Sequence, residues 1–167
     1  MDIRSAASGG RTAAAWGGVF AMSLCVFVLI ASEFMPVSLL TPIAADLALT
    51  EGQAGQAIAV SGIFAVVTSL SISRLAGRID RRTVLLALTG LMLISGIIVA
   101  AAPDGAVLMA GRALLGVVIG GFWSMTTAVV MRLVPDHAVP RALALLNGGN
   151  ALATTIAAPL GSFLGGV

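Results

Sequence analysis

The sequence predicts an all-α membrane protein with about five transmembrane helices, and three observations carry that prediction. The first is composition: 59% of the residues are hydrophobic, only 10% are charged, and the mean hydropathy is +1.09, whereas soluble domains carry about 25% charged residues. The second is segmentation. Apolar stretches at about 16–39, 56–73, 83–101, 106–131 and 142–167 each reach the ~18 residues that cross ~30 Å of hydrocarbon at ~1.5 Å per helical residue. The third is the placement of charge. The chain has no lysine; Arg4 and Arg11 precede the first stretch, Arg74, Arg78, Arg81 and Arg82 fall between the second and third, and Arg132 and Arg141 flank the link between the fourth and fifth. The intervening links hold Asp46, Glu51 and Asp104. This alternation is the positive-inside pattern of a multi-pass protein with a cytoplasmic N-terminus. The arginines thus report orientation in a lipid bilayer, and no nucleic-acid partner is expected.

Residues 1–13 are polar and rich in Gly, Ala and Ser, and are expected to be a disordered cytoplasmic N-terminus ahead of a transmembrane bundle over 14–167. The first apolar run has no small-x-small cleavage pattern behind it and four more runs after it, so it reads as an uncleaved span. Its Cys25, the sole cysteine, forms no intrachain disulfide and reads as a small packing residue. Toward its end the run reads "LIASEFMPVSLL", Leu29 to Leu40, which places Glu33 in the interior of a span and Pro36 three residues later. Two readings stand for Pro36: a hinge just beyond the carboxylate, or a tolerated proline near a helix end.

Thr50 and Gln53 have the spacing of a capping box, which predicts that the second helix starts near Glu51. Between the third and fourth spans, "PDG" at 103–105 is a turn signal. Span four carries Arg112, ~10 Å inside the boundary set by Gly105, where a cation costs several kcal/mol unless it snorkels, pairs or faces water. Gly116 and Gly120 follow as a small-xxx-small face suited to close helix packing. Span five holds Asn147 and Asn150, which offer hydrogen bonds to a polar solute or cap and pack near the surface, and Pro159 with Gly161, which loosen or bend the helix. His137 lies between two prolines without a cysteine or second histidine near it, so no metal site is expected. There is no Walker-type glycine loop and no nucleophile elbow, so neither an enzyme nor a cofactor is expected. The chain ends in "FLGGV" within an apolar run, which reads as a fragment that the remaining helices of a longer transporter would complete.

The arginine loop "SRLAGRIDRRTVLL", Ser73 to Leu86, resembles the loop signature of the major facilitator superfamily, G-x-L-A-D-R-x-G-R-R. Leu75, Ala76, Arg78, Arg81 and Arg82 match, while Ser73 replaces the first glycine, Gly77 the acid, and Asp80 a glycine. The resemblance implies a gating latch built from Arg74, Arg78, Asp80, Arg81 and Arg82, with Asp80 standing in for the missing acid; the alternative is a basic anchor at the inner surface. "GRALLGVVIGGFW" resembles the fourth-helix motif R-x-x-Q-G-x-G at Arg112 and Gly116, with Leu115 and Val118 as departures. In the family that arginine serves proton coupling or substrate handling. "APLGSFLGG" is similar to the antiporter motif through Pro159. Over about Trp16 to the C-terminus the chain is most similar to the drug/proton antiporter branch and, within it, to bacterial purine ribonucleoside efflux pumps. That resemblance implies a bacterial inner-membrane exporter that exchanges protons for a small polar solute, with sugars or drugs as alternative cargo. A truncated, non-transporting remnant or scaffold is the competing reading. Glu33 is the only acid inside any span, so it is the expected proton carrier. First and fourth helices both line the superfamily's cavity, which predicts that Glu33 and Arg112 face the same aqueous space and pair.

Overall fold

The computed structural model describes residues 3–75 and 79–165, with side chains over 16–72 and 79–165. The described chain forms α1 (Ile3–Ser38), α2 (Leu40–Asp46), α3 (Glu51–Leu75), α4 (Arg81–Ala100), α5 (Gly105–Leu133), a 3-10 turn over Asp136–Ala138, and α6 (Val139–Gly165). Five helices, all but the short α2, are long and apolar enough to cross a membrane. No strand occurs among the described residues. The protein is therefore an all-α multi-pass membrane bundle.

The ends of these helices are set by polar groups that a hydropathy window does not weigh. Thr50 and Gln53 form the capping box: the Thr50 N–H donates to Gln53 Oε1 at 2.9 Å and the Gln53 N–H to Thr50 Oγ1 at 3.2 Å. The helical backbone of α3 thus begins at Glu51, several residues before its apolar run. Asp104 caps α5 by accepting from the Val107 N–H at 2.9 Å. Helical backbone is already present from Ile3, inside the segment expected to be disordered. Ala6, Ala7 and Ala13 to Ala15 are strong helix formers whose effect a count of polar and small residues misses. The short α2 carries no cap signature that a sequence reading recognises. It closes at Ala48, whose φ of 51° lies in the left-handed region, with the Leu49 N–H returning to the Ala44 carbonyl at 2.8 Å.

Small residues decide which helices lie side by side. Gly116 faces the Ser61 carbonyl and Gly120 the Ala65 carbonyl so closely that a Cβ at either would overlap the α3 backbone. Residue numbers rise together along the two helices, so α3 and α5 run parallel. On the other flank Gly149 meets Ser23 and Gly161 meets Ser38 and Met35, which sets α6 parallel to α1 along a stripe of buried small residues that includes Ala153 and Ala157. α4 is antiparallel to α5, with Leu88 against Gly121 and the Ser95 hydroxyl donating to the Gly111 carbonyl at 2.8 Å. α5 is the most enclosed helix, and its Leu115, Val118, Phe122 and Val130 join Val19, Val26, Leu29, Leu88 and Leu146 in one core. Outward-facing Phe20, Leu24, Leu70, Leu93 and Phe163 suit lipid or further helices. Because lipid is as apolar as leucine, these contacts hold the bundle by close packing and hydrogen bonding more than by exclusion from water.

Gly116→Val tests that account. The added side chain meets backbone, which has no flexible end to give way, so the α3–α5 contact opens; we expect a loss of about 1–3 kcal/mol from overpacking. Thermal melting in lipid nanodiscs reads it, and an unchanged melt would show that the two helices do not rely on this contact.

Candidate functional site

Where α1, α3 and α5 meet, Arg112 is 1% exposed and nearly every polar atom in reach is turned toward it. Its Nη2 lies 2.9 Å from Glu33 Oε1 and donates to Ser61 Oγ at 3.3 Å. Its Nη1 donates to the Ser32 carbonyl at 3.2 Å, and its Nε to the Ala57 carbonyl at 3.4 Å. A guanidinium at membrane depth is tolerable only with such a set of acceptors. Local sequence explains how it is assembled. Gly116, one turn past Arg112, lets α5 close on α3 at Ser61, and that contact carries the Ser61 hydroxyl and the Ala57 carbonyl to the guanidinium. Glu33 arrives from α1.

The carboxylate is held asymmetrically. Glu33 Oε1 takes both the guanidinium and the Ser61 hydroxyl, the latter at 2.8 Å. Glu33 Oε2 is buried and has no hydrogen-bond partner among the described residues. The Ser61 hydroxyl has one proton and two acceptors in reach, Glu33 Oε1 and the Ile58 carbonyl at 2.9 Å. Each time it turns to one it releases the other. Beside the pair, a cavity of about 380 Å³ between α1, α4 and α5 is lined by Ser32, Met35, Pro36, Ser95, Arg112 and Leu115.

The other residues singled out in the sequence lie apart from this cluster. Asn147 is exposed and Asn150 half-buried on α6, beside Gly149, which packs at the height of Ser23. That height is ten residues, or ~15 Å, along α1 from Glu33. Pro159 is exposed on α6, whereas Gly161 closes the α1–α6 contact. At the opposite end of the bundle, Asp80 caps α4 through a long 3.5 Å bond from the Arg82 N–H. Asp80, Arg81, Arg82 and Arg132 line a cavity of about 540 Å³ there, whose floor includes Met22 and Phe122. Of the loop arginines, the Arg74 side chain and the whole of Arg78 lie outside the described residues. Sequence reasoning missed Ser61. It is one of several serines in an apolar span, and only the α3–α5 contact made by Gly116 shows where it points.

The family model described as Major Facilitator Superfamily matches residues 22–167. The chain is 66% identical over 150 residues, 90% of its length, to a protein of Pseudomonas aeruginosa named transcription regulatory protein OpdE, of which the match covers 37%. It is 46% identical over 152 residues, 91% of its length, to the purine ribonucleoside efflux pump NepI of Salmonella typhimurium, of which the match covers 38%. The same identity holds for the pump of Salmonella typhi. The chain thus spans little more than a third of the length of the curated relatives it matches. With five apolar helices built around a buried acid–base pair, and with that family match over most of its residues, the chain belongs to the Major Facilitator Superfamily of membrane transporters.

Proposed function

We propose that residues 14–167 form the N-terminal transmembrane bundle of a secondary exporter in the bacterial inner membrane, with a cytoplasmic N-terminus, that exchanges protons for a small polar solute such as a purine ribonucleoside. The observation that carries this reading is the Glu33–Arg112 pair with its bare Oε2. A proton arriving at Oε2 cancels the attraction to Arg112 without displacing the Ser61 hydroxyl from Oε1. The guanidinium keeps the Ala57 and Ser32 carbonyls, so protonation weakens the Glu33–Arg112 tie between α1 and the α3–α5 pair. A charge change that loosens one helix against two others is what a rocking transporter needs to link proton uptake to movement. On this reading Arg81 and Arg82, with Arg74 and Arg78, belong to the gate or anchor at the cytoplasmic end. Asn147 and Asn150 offer amides to solute at a distance from the proton site. The name of the Salmonella relative supports a nucleoside as cargo.

Counterflow tests it. A chimera joining this chain to the remaining helices of the Salmonella pump is reconstituted in vesicles and offered labelled purine ribonucleosides, sugars and drugs in parallel. We expect pH-gradient-dependent exchange of the ribonucleosides; exchange of none of the three classes, or exchange indifferent to the gradient, would overturn the proposal.

A further inference from the structure

Two features of α1 and α5 that look unrelated in sequence, a proline inside an apolar helix and an arginine at membrane depth, meet at one atom. Pro36 lies inside α1 and has no N–H, so the carbonyl four residues earlier, that of Ser32, lacks its helical donor. In lipid an unsatisfied carbonyl costs several kcal/mol. The group that donates to the Ser32 carbonyl is Arg112 Nη1, at 3.2 Å. Pro36 and Arg112 also line the same cavity.

We infer that Pro36 is a positioning residue for Arg112: by withholding an N–H it leaves the Ser32 carbonyl as a fixed acceptor that aims the guanidinium at Glu33, one residue further along the same helix. The arrangement is reciprocal. The proline would leave a bare carbonyl in the membrane without the arginine, and the arginine would lose a neutral anchor without the proline. Because that anchor is uncharged, it holds Arg112 whether Glu33 carries a proton or not, so the guanidinium stays in place when the ion pair is discharged. This differs from a hinge, in which proline matters for the bending it permits.

The inference rests on the proposed transport role only for its consequence; the hydrogen bond itself is tested without transport. Pro36→Ala restores the N–H. In the chain with Arg112 the carbonyl already has a donor, whereas in an E33Q/R112M background, which removes the guanidinium without stranding a carboxylate, it has none. We therefore expect P36A to raise the melting temperature in nanodiscs clearly more in the double-mutant background than in the wild-type chain. Loss of the ring is common to both backgrounds and cancels. An equal shift in both would overturn the inference. A second measurement needs only the wild-type background: lactic acid at position 36, which like proline has no N–H but has alanine's freedom, is compared with P36A in the active chimera. We expect the lactate variant to keep the wild-type pH profile of efflux and P36A to change it. If the two behave alike, the missing N–H is not the reason for the proline. A chimera that is inactive before any change at 36 counts against the transport proposal and leaves the melting test to decide this one.

Discussion

Glu33→Gln is expected to abolish pH-gradient-driven efflux in the chimera while the protein still inserts and folds. The glutamine amide matches the carboxylate in size, its oxygen still accepts from the Ser61 hydroxyl and the Arg112 guanidinium, and its nitrogen occupies the place of the unpartnered Oε2. What it lacks is a charge that a proton can remove. Arg112 retains the Ser32 and Ala57 carbonyls, so the guanidinium is not stranded and the loss of stability is small. A transporter that has lost only its proton step keeps solute exchange down a solute gradient and loses its response to pH, and that split is the signature sought. Efflux by E33Q that tracks pH as the parent does would remove Glu33 from the proton path and with it the central claim about this site.

How far the site was legible in the sequence depends on the kind of signal each residue gives. Glu33 and Arg112 stand out because a charge in an apolar run violates the solvation rule of the membrane, and a violation is visible without knowing what surrounds it. The helices were visible for the same reason: lipid demands long apolar runs, so the class of fold follows from composition and segmentation. Ser61 gives no such signal, since a hydroxyl can satisfy itself within its own helix, as the Ile58 carbonyl allows here. Its role depends on α5 lying against α3, and that depends on Gly116, whose small-xxx-small spacing marks a close contact without naming the partner. Pro36 was visible as an oddity, with a hinge and a tolerated proline near a helix end as its two readings; its missing N–H acquires a further meaning only when a donor from another helix is seen on the Ser32 carbonyl. Asn147 and Asn150 give a weaker signal. Amides near a membrane surface are ordinary, and nothing in their spacing placed them ~15 Å in height from the charged pair.

Removing the other partner of the pair should be far more damaging, and the asymmetry tests which group the bundle is built around. Arg112→Met deletes the donor that Glu33 Oε1, the Ser61 hydroxyl, the Ser32 carbonyl and the Ala57 carbonyl share. Ala57 and Ser61 keep intrahelical alternatives. Glu33 is left as a half-buried carboxylate with the Ser61 hydroxyl in place of a cation, and breaking a buried pair from one side costs about 3–5 kcal/mol. Adding Glu33→Gln to Arg112→Met removes the stranded charge, so the double variant should melt well above the single one, although it carries one more change. Recovery should stop short of the parent, because the Ser32 carbonyl beneath Pro36 stays without its donor. The expected order of melting temperatures in nanodiscs is parent, E33Q, E33Q/R112M and then R112M. Two reversals would be informative. If R112M melts with the double variant, Glu33 is not held as a charge by Arg112, and the ion pair is not the tie that protonation releases. If E33Q melts below the double variant, the guanidinium without its carboxylate is the costlier group, and the two neutral carbonyls do not hold it as their geometry implies.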